Sequence, residues 1–285
     1  MLVAGFFFAA MGVFVKLGAG QFGAAEMGFY RSLFSLLAVL GVVLVHRQAT
    51  LRTAHVGAHL IRGILGSVSL IGYFYAITRL PLATAQTLNY TSPVFLALAT
   101  TVVLGKKFSP WLVVAIALGF AGVALLLQPT WAAGSDGPAV IGLTSGIFSA
   151  WAYLSVRTLG RLGEPDWRVL FWFALVATTM CAAWQGATST FHAVTPGNAW
   201  ILLGLGACGT LAQLSMTRAY RTGNTLVVGA LSYSTIVFAT AATIVLWNDR
   251  LLPMEWAGMA VIVASGIIAM RVEKKEQVEE AGFEN

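Results

Sequence analysis

The chain has 285 residues, 58% of them hydrophobic and 10% charged, with a mean hydropathy of +0.80. A water-soluble domain is about one-quarter charged, so most of this surface is built to face something other than water. The formal charge of +6 comes from 17 Lys and Arg against 11 Asp and Glu, but the basic residues stand singly or in pairs and form no stripe, so no nucleic-acid partner is expected.

A helix that crosses the hydrocarbon needs about 20 apolar residues. In chain order such stretches run from Leu2 to Ala19, Met27 to Val45, Leu60 to Ile77, Ala83 to Leu104 and Trp111 to Leu127. After the Gly134 to Pro138 loop come Val140 to Val156, Val169 to Gly186, Trp200 to Met216, Leu226 to Trp247 and Trp256 to Met270, ten predicted spans in all. The first starts at Leu2 without a basic leader or a small-residue cleavage pattern, and so reads as a span rather than a signal peptide. Prolines 81, 110, 165 and 253 stand at predicted boundaries, where a missing N–H has no helical partner to lose.

Orientation follows from basic residues near span ends. With the N-terminus inside, 13 of the 17 lie on the inner side, among them Arg47, Arg52, Arg62, Lys106, Lys107, Arg157 and Arg168, while Lys16, Arg31, Arg79 and Arg250 remain outside. The expected fold is therefore an all-α membrane protein of ten transmembrane helices, N-in and C-in, with residues 272–285 as a charged cytoplasmic tail.

Sliding the chain on itself by 143 residues pairs Ala76 with Ala219, Tyr90 with Tyr233, Val94 with Val237, Phe95 with Phe238 and Pro110 with Pro253. The repeat predicts two five-helix units, 1–128 and 138–271. Five is odd, so the second unit enters the membrane from the opposite side. Inverted repeats are a mark of secondary transporters, which hold substrate near the midplane between the halves.

Three features carry a resemblance: FYRSLFSLL after Glu26, the Phe-Tyr-Ala-x-x-x-Leu-Pro run from Phe74 to Pro81, and a tyrosine-containing fourth span ending in Leu-Gly before a basic pair. On these the chain resembles the drug/metabolite transporter (DMT) superfamily, in particular its EamA-type ten-helix exporters, and is similar to the YddG-type bacterial exporters of aromatic and other neutral amino acids. The resemblance implies a multi-pass protein of the bacterial inner membrane that exports small molecules. The family commonly has an acid after Leu-Gly; here that place is Lys106, while Asp249 stands at the repeat-equivalent place.

An amino acid substrate needs partners for a carboxylate, an ammonium and a side chain. Polar residues at membrane depth usually face the bundle interior or a watery cavity, and the deep ones nominate Tyr73, Asn89, Tyr90, Trp151, Gln213, Ser232 and Tyr233 as substrate-binding. Tyr90 and Tyr233 are expected to flank one central site from opposite sides of the midplane, while Tyr30 and Tyr220 suit an interfacial belt. Pro93 reads either as a hinge or broken segment beside the cavity or as a tolerated packing kink. The glycines at 142, 146, 204, 206 and 209 read as close-packing sites.

Lys16 and Arg31 read as snorkelling side chains or as attractors of a substrate carboxylate. All 11 acids and all four histidines avoid the predicted span centres, so the core reads as neutral. Coupling through a buried carboxylate is not expected, which leaves facilitated diffusion or coupling of another kind. Cys181 and Cys208 read as packing residues. Metal-ligand spacing and a phosphate-binding GxxxxGK[ST] loop are both lacking, so no cofactor is expected and ATP is not the direct energy source. An intramembrane enzyme would need a Ser/His pair, a metal cluster or paired carboxylates at depth. The partners expected are a small-molecule substrate, amino acids foremost, and the lipid bilayer. Oligomeric state is left open, with a monomer compatible. Purines, nucleotide sugars and drugs are the alternative substrates.

Overall fold

The computed structural model describes residues 1–45, 50–80, 82–104, 110–127, 136–247 and 252–283. Twelve helices make up the described elements: α1 (Leu2–Gly18), α2 (Ala24–Val45), α3 (Val56–Arg79), α4 (Leu82–Asn89), α5 (Ser92–Leu104), α6 (Pro110–Leu127), α7 (Asp136–Arg161), α8 (Asp166–Thr188), α9 (Ala199–Thr222), α10 (Thr225–Ser232), α11 (Ser234–Trp247) and α12 (Pro253–Phe283). The Lys106 and Asp249 places, and the charges at Arg47, Lys107 and Arg250, lie outside the described residues.

Helix ends extend past the apolar stretches into residues that satisfy free backbone groups. The Asn224 side chain accepts from the Leu226 amide at 3.0 Å, and Glu26 reaches back to the Gly23 amide at 3.3 Å, each supplying a partner for an amide that the helix start leaves open. Among the described residues six helices are long and apolar enough to cross a membrane, α10 and α11 counting as one. Helices α1, α6 and the apolar part of α12 are shorter. The predicted tail continues α12 as helix to Phe283 rather than departing from it.

The predicted fourth and ninth spans are each broken in two. The breaks coincide under the 143-residue shift: α4 (Leu82–Asn89) falls on α10 (Thr225–Ser232), and the end of α5 falls on the end of α11. In the first, the Thr91 hydroxyl donates to the Leu88 carbonyl at 2.6 Å; in the second, the Ser232 hydroxyl donates to the Gly229 carbonyl, also at 2.6 Å. Side-chain hydroxyls thus take up carbonyls that the interrupted ladder releases.

Packing runs mostly between the two halves of the chain, and it is reciprocal. Helix α3 packs on α7 and α1 on α9; α1 on α11 is answered by α7 on α4 and α5; α3 on α8 is answered by α2 on α9. The remaining large contacts, α2 with α8 and α6 with α12, pair equivalent helices. A two-fold relation between halves demands this pattern. The α6–α12 pair stands to one side, and the other helices surround a central space.

Candidate functional site

A cavity of about 390 Å³ opens between the halves, lined by α1, α2, α3, α4 and the start of α5 from one and by α7, α8, α9, α10 and α11 from the other. Both helix breaks face it, through Asn89 and Tyr90 on one side and Ser232 and Thr235 on the other. A broken helix turns unpaired backbone and polar side chains toward a cavity, the one place at membrane depth where irregular backbone is tolerated.

Of the residues expected from sequence, Tyr73, Asn89, Tyr90, Gln213 and Ser232 line this space. The Asn89 amide donates to Ser145 at 3.0 Å, and hydrogen bonds join Tyr73 to Gln86 and Tyr90 to Thr235. Ser69 and Ser149 share a hydrogen bond of 2.6 Å across the gap between α3 and α7. Tyr153, Phe173 and Phe74 supply further aromatic wall.

Two expected residues do not belong to the wall. Tyr233 does meet Tyr90, ring centroids 6.5 Å apart, but it is fully buried among Val123, Ile236 and Ile262 and lines no part of the cavity. The two-fold relation brings the broken segments together, yet side-chain packing sends one phenol outward to the core and the other into the space. Trp151 is 40% exposed and turned away from the cavity. Its neighbour Tyr153, two residues on and so on another helix face, takes the inner position. Tyr220 is no belt residue either: it is fully buried and stacked on Tyr153 at 4.8 Å. Pro93 sits in the first turn of α5, where no helical hydrogen bond is lost. The second break forms with Ile236 at the equivalent place, so proline is not what breaks the helix.

The largest correction concerns charge. Arg62, read as an inner-face residue, and Arg31, read either as snorkelling outward or as an attractor of a substrate carboxylate, both line the cavity and are 2% and 4% exposed. Helix α3 begins at Val56, so Arg62 stands nearly two turns inside it. Both guanidinium groups converge on Phe173, with their central carbons 4.5 Å (Arg62) and 5.9 Å (Arg31) from the ring centroid. Small residues make room for them: a Cβ at Gly66 would overlap Arg62 Nη1, and one at Gly209 would come 2.9 Å from Arg31 Nε. Gly209 therefore serves the site as well as helix approach. A cavity with two guanidinium groups is not the neutral space that the span counting implied. Lys16, counted on the outer side, lines the same cavity, so the side count behind the expected orientation loses one residue inside, Arg62, and two outside, Lys16 and Arg31.

Acids at the periphery do structural work. At one end of α2, Glu26 accepts from the His192 amide at 2.8 Å and lies 2.7 Å from its ring, tying the α1–α2 connection to the α8–α9 connection. At the other end, Glu164 accepts from Thr53 and from Arg168 at 2.8 Å and lies 3.2 Å from His59, tying α7–α8 to α2–α3. Burial pushes the Glu164 carboxyl up, and the hydrogen bonds from Thr53, Arg168 and His59 outweigh it, holding the group below the ordinary glutamate value.

An all-helical membrane protein, broken helices meeting at a cavity and packing reciprocal between halves define a transporter architecture. The chain belongs to the EamA-like transporter family of the drug/metabolite transporter superfamily. That family's sequence pattern matches residues 1–128. Over 279 residues, 96% of this chain and 95% of the relative, it is 30% identical to the pseudopaline exporter CntI of Pseudomonas aeruginosa. It is 27% identical to a riboflavin transporter of Brucella anthropi, over 86% of this chain and 87% of that one. Human solute carrier family 35 member G1 is 25% identical over 93% of this chain and 76% of its own length. A crystal structure of a protein with 18% identity superposes with a TM-score of 0.79, over 95% of this chain and 96% of that chain, a likeness of fold alone.

Proposed function

We propose that this multi-pass transporter exports small amphipathic metabolites through the central cavity by alternating access, the two halves 1–128 and 138–271 acting as inverted five-segment repeats. Aromatic and other neutral amino acids are the first substrates to test, with other metabolites and drugs as the alternative. Both termini lie on the cytoplasmic side of a bacterial inner membrane, and residues 272–285 extend from it. The observation that carries this reading is the cavity itself, into which both broken helices bring side chains. Aromatic walls at Tyr73, Tyr90, Tyr153 and Phe173 suit a ring or a bulky apolar group, and amides at Gln86, Asn89 and Gln213 suit polar substituents that must bind weakly enough to leave.

Among the described residues none that lines the cavity is an Asp, Glu or His, which favours a carrier without a buried carboxylate relay. The protein in proteoliposomes preloaded with labelled Phe, Trp, Thr or Met is expected to release at least one of them, and Tyr73→Ala with Tyr90→Ala together to stop release without loss of folding. Release by none of the four would remove amino acids as substrates, and unchanged release by the double variant would remove the cavity as their path.

A further inference from the structure

Arg31 and Arg62 bring positive charge into the cavity, and neither has an ion pair among the described residues. Arg62 Nε and Nη1 are buried with no hydrogen-bond partner among the described residues. Among the described residues Arg31 has hydrogen bonds only to the Gln213 amide oxygen at 3.4 Å and the Met11 sulfur at 3.3 Å. Their guanidinium carbons are no farther apart than the sum of their distances to Phe173, 5.9 Å and 4.5 Å. No Asp or Glu lines the same space among the described residues. Stacking on Phe173 returns far less for each cation than burying an uncompensated charge costs. Gly66 and Gly209 stand at equivalent places in the two halves and each makes space for one guanidinium, so the packing is arranged around these groups.

We infer that the substrate supplies the missing charge: an apolar or aromatic body bearing two negative charges, held between Arg31 and Arg62 with its ring against Phe173 and the cavity tyrosines. Each guanidinium presents a planar fork that matches a carboxylate or a phosphate oxygen pair. A free ammonium would sit among cations, so a simple zwitterionic amino acid binds less well than a dianion of the same size. This deepens the transport reading and rests on it, since it takes the same cavity as the substrate site.

The test uses the full chain in detergent and measures dissociation constants for four probes by calorimetry: phenylsuccinate, phenyl phosphate, phenylalanine and phenethylamine. One dianion at least is expected to bind about tenfold or more tightly than phenylalanine, with phenethylamine weakest. The stronger of the two dianions tells whether the site takes a dicarboxylate or a phosphomonoester. In Arg31→Gln and in Arg62→Gln the dianion's advantage over phenylalanine is expected to fall below about threefold, and Arg→Lys at either position to restore part of it. Phenylalanine binding as tightly as both dianions in the unaltered protein overturns the inference, and needs no variant. So does a folded Gln variant that keeps the full dianion advantage. The same probes in proteoliposomes separate the two readings. A dianion that binds preferentially but is not moved overturns transport and leaves the site, whereas phenylalanine moved with no dianion preference leaves transport and overturns the dianion.

Discussion

Arg62 shows how a single residue changes meaning with one turn of helix. In His59-Leu-Ile-Arg-Gly-Ile-Leu-Gly66 the apolar run was expected to start at Leu60, which left Arg62 beside a loop; the helix starts at Val56, and the same residue becomes a deep cavity cation. The legible signal was a lone charge with apolar residues on both sides of it, which at membrane depth points to function. Gly66 is the companion to that charge. Gly66→Ala is expected to push Arg62 against Phe173, lower the melting temperature in detergent as overpacking of about 1–3 kcal/mol would, and impair transport; a fully active, equally stable variant would contradict the close approach. On α7 the neighbours Trp151 and Tyr153 make the complementary case. Trp151→Ala is expected to leave efflux rates unchanged, because the side chain is turned away from the cavity. Tyr153→Ala removes a wall residue stacked on Tyr220 and should slow efflux by about tenfold, the equivalent of one aromatic pair.

At the scale of the element, hydropathy located the helices well and their interruptions poorly. Ala83 to Leu104 and Leu226 to Trp247 read as continuous spans, because Tyr90-Thr-Ser and Tyr233-Ser-Thr keep a run apolar enough to hide a break. Proline pointed to the first break, but for a reason that the structure replaces: hydroxyl-to-carbonyl bonds at Thr91 and Ser232 accompany both. Pro93→Ala is therefore expected to leave the break in place and to shift stability by less than about 1 kcal/mol, since a first-turn proline mainly stiffens the unfolded chain. Melting temperature and efflux measured side by side check this, and a variant locked into one inactive state would restore proline as the hinge.

For the whole molecule, the two carboxylate ties stand at opposite ends of α2, whose 22 residues span about 33 Å. The Glu164 tie gives stability a definite pH dependence. Its carboxyl is held below the ordinary value in the folded state, so the folded protein favours the ionised form. The stabilisation is present in full above the pKa of the unfolded chain and is lost as pH falls through the folded one. Melting temperature against pH should fall on the acid side, and Glu164→Gln should lower it at neutral pH and flatten that limb; an unchanged acid limb would exclude this tie as its source. The interleaved packing carries its own prediction. Residues 1–128 expressed alone should not give a protease-resistant, monodisperse protein, because α1, α2 and α3 find most of their contacts on α7, α8, α9 and α11. Co-expression with 136–285 should restore one.

By itself the sequence determined that this chain is helical and that it belongs in a membrane, and it predicted that its two halves repeat. Those properties are set by composition, by runs of apolar residues and by a fixed shift of 143, all of which are local or additive along the chain. It also supplied five of the cavity residues, because a polar group deep in an apolar run has few tolerable places to go. Which side chain of a helix faces inward depends on the helix's rotation against partners far away in sequence. Tertiary structure alone therefore separated Tyr90 from Tyr233 and Tyr153 from Trp151. It alone brought Arg31 and Arg62, from two different helices, onto one phenylalanine ring of a third.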